Sequence, residues 1–285
     1  MSQIGTTEFQ AYAHRRLQSE RRLEPDKAQG DGMIRLGVQL HPQHTAYASF
    51  ADAVRKIEEM GVDTIWNWDH FFPLYGDPQG AHFEAWTLLT AMATLTNRAE
   101  IGCLVTCNSY RNPSLLAHMA KTVDHISGGR LILGLGAGWF ERDYREYGYD
   151  FGTAPDRLRA LRSALPIIRD RWQAEVPLPM RNPIPICIGG GGEKVTLKLT
   201  AQYADIWNGF NPAESFKHKN TVLDNWCHEL GRDPAAIERS ISISAKDVAN
   251  LDTFVAAGAN HIILGMGEPW DFEAVTRMVS WRNSL

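Results

Sequence analysis

The run Trp66-Asn67-Trp68-Asp69-His70 sets an imidazole beside a carboxylate, between two indoles and the apolar stretch Phe71-Phe72-Pro73. Histidine exchanges protons near neutral pH, so His70 is a candidate proton donor or acceptor with Asp69 next to it. The competing reading is an imidazole that Asp69 merely holds to close a loop. His41, His82, His118 and His125 show no ligand spacing of the H-E-x-x-H kind, and no metal site is expected. Two glycine clusters also stand out, Gly134-Leu135-Gly136-Ala137-Gly138-Trp139 and Gly189-Gly190-Gly191-Gly192. Bare backbone at a helix N-terminus exposes amides that can hold a phosphate, and the four-glycine run is the better candidate for this, with a tight turn as the alternative. The first cluster is no Rossmann fingerprint, because its third glycine comes too early. Gly192-Glu193-Lys194-Val195 does not complete a P-loop either, so nucleoside triphosphate chemistry is not expected.

Groups of this kind need rigid elements to carry them. Short branched runs at 34–40, 62–68, 101–105, 130–135, 184–188, 206–208, 241–244 and 261–264 read as strands. Between them lie helical stripes, such as Phe50, Val54 and Ile57 stopped by Gly61, and Leu88, Leu89, Met92 and Leu95 from about Glu84. Leu116, Met119, Val123 and Ile126 form another stripe after Pro113, where a first helical turn tolerates proline. Eight strand–helix repeats predict an α/β protein, a (β/α)8 TIM barrel rather than a doubly wound sheet. The histidine run and both glycine clusters then fall at strand ends, where barrel enzymes place their chemistry. The stretch 138–155 is too long for an ordinary connection and predicts an insertion after the fourth strand, bordering the active site.

The 285 residues are 44% hydrophobic and 22% charged, enough to bury a large core. Residues 33–285 read as a single barrel domain, preceded by a polar extension over residues 1–32 that has neither the apolar core of a secretory signal nor the composition of a transit peptide. With 29 basic and 33 acidic residues the net charge is −4, which supplies no field for general nucleic-acid binding. No apolar run approaches the roughly 20 residues of a membrane helix. Cys103, Cys107, Cys187 and Cys227 make no disulfide or zinc pattern, consistent with a reducing cytoplasm.

Several segments in this order resemble the luciferase-like monooxygenase superfamily, in particular its branch that uses the deazaflavin coenzyme F420. They are Trp68-Asp69-His70, then Thr106 with Arg111-Asn112-Pro113, then Ser127-Gly128-Gly129-Arg130 leading into Gly134 to Trp139, and finally the glycine run with Ala204-Asp205-Ile206-Trp207-Asn208. The resemblance spans residues 34–264. It implies a (β/α)8 barrel with the cofactor ring at the C-terminal mouth and its phosphate end at the glycine run.

Carried over residue by residue, the resemblance makes His70 the proton-transfer residue. It assigns Asp69, Cys103, Leu104, Thr106, Gly136, Gly138, Gly190, Gly191 and Gly192 to cofactor binding. It also implies a non-proline cis peptide at Cys103–Leu104, with Gly102–Cys103 as the alternative. Trp66, Trp68, Trp139 and Trp207 are the expected walls of an apolar substrate pocket, with core packing the alternative for one or two of them. Relatives that oxidise a sugar phosphate carry a tryptophan and a glutamate where this sequence has Leu74 and Trp139, which argues against that activity; Glu141 is the nearest acid offered in exchange.

The implied activity is hydride transfer between the deazaflavin and a small organic substrate, which leaves the protein to orient the substrate and handle one proton. The runner-up is an FMN-dependent monooxygenase on the same barrel. A non-redox barrel or binding module is the third reading and predicts affinity for neither ring system. No nucleic-acid or membrane partner is expected, and a homodimeric assembly is left open.

Overall fold

Branched and apolar residues put β1 (Arg35–Leu40) inside a parallel sheet, with Leu36, Val38 and Leu40 fully buried. The computed structural model describes residues 33–285 apart from Asn211, so the expected extension over residues 1–32 lies outside the described residues. β1 pairs in parallel with β2 (Thr64–Asn67) on one side and β9 (His261–Met266) on the other, which closes the sheet on itself. Around the ring follow β3 (Glu100–Cys103), β4 (Thr106–Cys107), β5 (Leu131–Gly136), β6 (Ile186–Gly189), β7 (Ile206–Phe210) and β8 (Glu238–Ile243). β3 and β4 both pair with β5 and are two pieces of one interrupted stave. The result is the closed barrel of eight parallel staves that the repeats predict.

The outer helices bury most of the expected stripes, but Leu95 and Met119 are only half-buried and Ile126, expected to face inward, is exposed near the end of its helix. α1 (Tyr47–Glu59) turns Phe50, Val54 and Ile57 inward and is followed by Gly61 at φ +88°. α2 (Ala85–Leu95) starts on Glu84, whose carboxylate accepts the Trp86 and Thr87 amides. α3 (Pro113–Ser127) has its proline in the first turn, an Asn112 cap, and Gly128 in the left-handed conformation at its end. The expected insertion contains a separate short helix, α4 (Glu141–Tyr147), before the long α5 (Ala154–Ala174). α6 (Thr196–Tyr203), α7 (Ala213–Glu229), α8 (Leu251–Ala256) and α9 (Phe272–Arg282) complete the ring. Among the described residues no helix is long and apolar enough to cross a membrane.

Inside the barrel, Trp66, Leu104, Ile132, Cys187, Ile206 and Ile263 form one apolar cluster. Below it a chain of polar bonds runs across the strand starts: Trp66 Nε1 donates to Thr64 Oγ1 (2.7 Å), which meets His261 Nε2 (2.9 Å), and His261 Nδ1 meets Glu238 Oε1 (2.5 Å). Arg35 bridges Glu238 and Glu100, and Arg181 also binds Glu100. Burial opposes the charge on Glu238, but His261 and Arg35 outweigh it and pull the carboxyl down to about 2. This end is a locked polar floor, and the opposite rim is left for chemistry.

Candidate active site

The third stave breaks at the C-terminal rim, and the break carries a non-proline cis peptide at Leu104–Val105. The expected segment is right, but the bond lies one residue beyond Cys103–Leu104. Val105 fills space that neighbouring glycines leave empty: a Cβ on Gly136 would stand 2.6 Å from Val105 Cγ2, and one on Gly189 would stand 2.9 Å from Val105 Cγ1. Gly138, at φ +84°, clears room for Tyr144 Oη, which a Cβ would approach to 1.9 Å. Gly136 and Gly138, assigned to cofactor contact by resemblance, thus lack side chains for a reason internal to the protein. Cys103, Leu104 and Thr106 are all buried at the break, and Gln39 Nε2 donates to the Leu104 carbonyl at 2.5 Å. Burial, and then the nearby Asp69 carboxylate, push the Cys103 thiol well up, so it stays a neutral packing group.

Asp69 is not the partner of His70. Its side chain is fully buried and accepts two bonds from Arg111, at 2.6 and 3.0 Å, and one from the Cys107 amide at 3.0 Å. It ties the end of β2 to the loop before α3, the place that Arg111-Asn112-Pro113 occupies. His70 instead meets Asp143 from α4, with Nδ1 2.7 Å from Oδ2. Among the described residues its Nε2 has no hydrogen-bond partner. Glu141, the acid nearest to expectation, sits exposed in the first turn of the same helix, and Asp143 two residues on is the one that reaches the imidazole.

Two of the four tryptophans belong to the rim. Trp68 is stacked on His41 (centroids 4.1 Å, 15° between planes) and its Nε1 donates to His82 Nε2 at 2.9 Å. Trp139, 64% exposed, and Phe140 stand edge-on to His70 at 5.7 and 5.5 Å. Trp66 and Trp207 correct the expectation. Trp66 fills the barrel interior, and Trp207 lies between sheet and helices, stacked on Phe216 at 4.8 Å. Both are wholly buried because aromatic side chains on these strands gain more from packing than from facing the mouth. Burial lowers the imidazoles of His41 and His82 to about 4, so both are neutral at pH 7. Tyr75 Oη bonds His41 Nδ1, which extends this uncharged wall.

The glycine run follows β6. Gly190 adopts φ +125°, and its carbonyl accepts Trp207 Nε1 at 2.8 Å. A Cβ on Gly191 would meet only Lys219 Cε at 3.7 Å, an ordinary contact. α6 begins here, and its N-cap residue Val195 supplies no side-chain acceptor. Lys219 flanks the run and pairs with Glu193 at 2.5 Å. The space is open over Gly191 alone, since a Cβ on Gly192 would stand 2.8 Å from Thr196 Oγ1, and the Gly192 carbonyl accepts the Leu197 amide at 3.0 Å. Bare backbone beside a helix start with no side-chain cap suits a phosphate.

Residues 32–246 match the family model described as luciferase-like monooxygenase. The chain belongs to this family. Among its relatives are F420-dependent glucose-6-phosphate dehydrogenases from Amycolatopsis mediterranei, 27% identical over 57% of this chain and 54% of that one, and from Kineococcus radiotolerans, 28% identical over 74% and 67%. The chain spans about half the length of the first of these. A solved F420-dependent secondary alcohol dehydrogenase, in complex with an F420–acetone adduct, superposes with a TM-score of 0.78 at 17% identity and covers 87% of this chain and 98% of that one. The coenzyme F420-dependent tetrahydromethanopterin reductase of Methanopyrus kandleri gives 0.72 at 16% identity, covering 87% and 97%. These likenesses, at low identity, show the fold: a closed (β/α)8 barrel.

Proposed function

We propose that this protein is an F420-dependent oxidoreductase in which His70 gives or takes the proton that accompanies hydride transfer to or from a small organic substrate. The observation that carries this reading is the geometry of His70 at the C-terminal rim: Nδ1 is held by Asp143, Nε2 is unpaired among the described residues, and Trp68, Trp139 and Phe140 border the ring. The F420-dependent relatives support the choice of cofactor.

The residues present suit such a group. Gly191 and Gly192, at the start of α6 with Lys219 nearby, would hold its phosphate end, while Gly190, whose amide donates to the Asn208 carbonyl at 3.1 Å, shapes the turn beside them. The rim around Leu104, Val105 and Thr106 would support its ring. When bound, a deazaflavin supplies or accepts a hydride and is poor at oxygen chemistry. His70 Nε2 is the ring nitrogen that would take up or hand over the accompanying proton. Trp68, Trp139 and Phe140 border the imidazole and present an apolar, uncharged wall to substrate, one that suits a neutral molecule better than a sugar phosphate.

Titration of the protein with F420 and with FMN, followed by fluorescence, tests the proposal. Saturable binding of F420 in preference to FMN is expected. Preference for FMN, with turnover that consumes oxygen, would replace it with the monooxygenase reading, and affinity for neither would remove redox chemistry altogether.

A further inference from the structure

We propose that Asp143 is the positioning residue of the rim: from the inserted helix α4 it fixes His70 as the Nδ1–H tautomer and thereby leaves the Nε2 lone pair facing the mouth. This rests on the reading of His70 as proton carrier, but the geometry can be tested without it. The Asp143 side chain has no exposure to solvent and sits among three donors. Phe71 N reaches Oδ1 at 3.1 Å, Tyr110 Oη reaches Oδ2 at 2.9 Å, and His70 Nδ1 reaches the same oxygen at 2.7 Å. A carboxylate only accepts, so the hydrogen on this contact belongs to the imidazole nitrogen. Burial, then Cys107 and Asp143 itself, raise the Tyr110 hydroxyl far above its ordinary value, and it remains a donor at any working pH.

The helix that brings Asp143 is docked for this contact by rings. Phe71 stacks on Tyr147 at 4.0 Å and packs on Tyr110 at 4.7 Å, while Tyr144 meets Tyr110 edge-on at 5.2 Å. Tyr110 and the Phe71 amide already give the buried carboxylate two partners. The third bond goes to the one ring nitrogen whose engagement leaves the other open, the arrangement by which a third group orients a base. The insertion is therefore a catalytic support as well as a border of the mouth.

The test is the nitrogen-15 spectrum of the His70 ring in the full-length protein, assigned by comparison with His70→Gln. Wild type is expected to show Nδ1 protonated and Nε2 bare. Asp143→Asn, whose amide can donate to Nδ1, is expected to lose that signature and show Nε2–H; Tyr110→Phe, which keeps the carboxylate, is expected to retain it. A wild-type ring in the Nε2–H form overturns the proposal even if no variant folds, as does a folded Asp143→Asn with an unchanged spectrum. In F420-supported turnover Asp143→Asn should lose about 10²-fold in kcat with F420 affinity unchanged. Failure of wild type to bind F420 would remove the proposed function and leave the tautomer result to decide the role of Asp143 on its own.

Discussion

Arg111 grips Asp69 through two hydrogen bonds, at 2.6 and 3.0 Å, and in doing so fixes the backbone that carries His70. The arginine side chain is 9% exposed and the carboxylate not at all, and Arg111 also reaches Glu84 at the start of α2. Removing one partner would strand the other charge. Arg111→Met is expected to cost about 3–5 kcal/mol in denaturant unfolding, and adding Asp69→Asn to it should recover part of the loss. A cost below about 1 kcal/mol would show that the pair is not the clamp it resembles.

His70→Ala is expected to lower F420-supported turnover by about 10²- to 10⁴-fold, the ordinary range for losing a general acid or base. Affinity for F420 should stay nearly the same, because the imidazole binds Asp143 and rim aromatics rather than the glycine run. Equal turnover by wild type and variant with the same substrate would pass the proton to another group.

The barrel was legible because the staves write their branched runs into short windows and helices such as α1, α2 and α3 write an apolar stripe beside them, whereas α4 offers no stripe of its own. His70 was legible for the same reason, since a strand end marks the rim. Its partner was not. Asp143 lies 73 residues further on, in a helix whose docking depends on Phe71, Tyr110 and Tyr147 meeting in space, and adjacency pointed to Asp69 instead. Trp66 and Trp207 misled because a tryptophan on a barrel strand reads alike whether it enters the interior, the helix layer or the mouth. The glycines of β5 were visible as a cluster, yet their cause, the Val105 side chain at the broken stave, is a contact across strands that no local pattern encodes.

That cause separates two kinds of glycine by experiment. Gly136→Ala should destabilise the protein by about 1–3 kcal/mol through collision with Val105, and Val105→Ala in the same chain should relieve most of the added cost. Gly191→Val meets no such obstacle, since a Cβ there finds only the flexible Lys219 stem at 3.7 Å. It should fold normally and bind F420 more weakly by filling the cradle. Unaltered F420 affinity in folded Gly191→Val would reduce the run to a turn.

The neutral wall of His41, Trp68 and His82 makes the protein sensitive to acid in a defined window. Burial lowers both imidazoles from 6.5 to about 4, and at His82 the neighbouring His70 adds to the effect. The folded state therefore binds protons at these sites more weakly than the unfolded chain does. Their contribution to stability is complete above pH 6.5 and is lost progressively as pH falls through 4, because the unfolded state takes up protons first. Each site can add at most about 1.4 kcal/mol per pH unit to the slope. Unfolding by denaturant at pH 7, 6, 5 and 4 should show wild-type stability falling over this range. His82→Gln, which keeps an oxygen acceptor for Trp68 Nε1 in place of the imidazole but cannot take up a proton, should fall less steeply, and so should a His41→Gln variant. Identical slopes in wild type and both variants would mean that the two imidazoles titrate alike in the folded and unfolded states, and the uncharged wall would lose its physical basis.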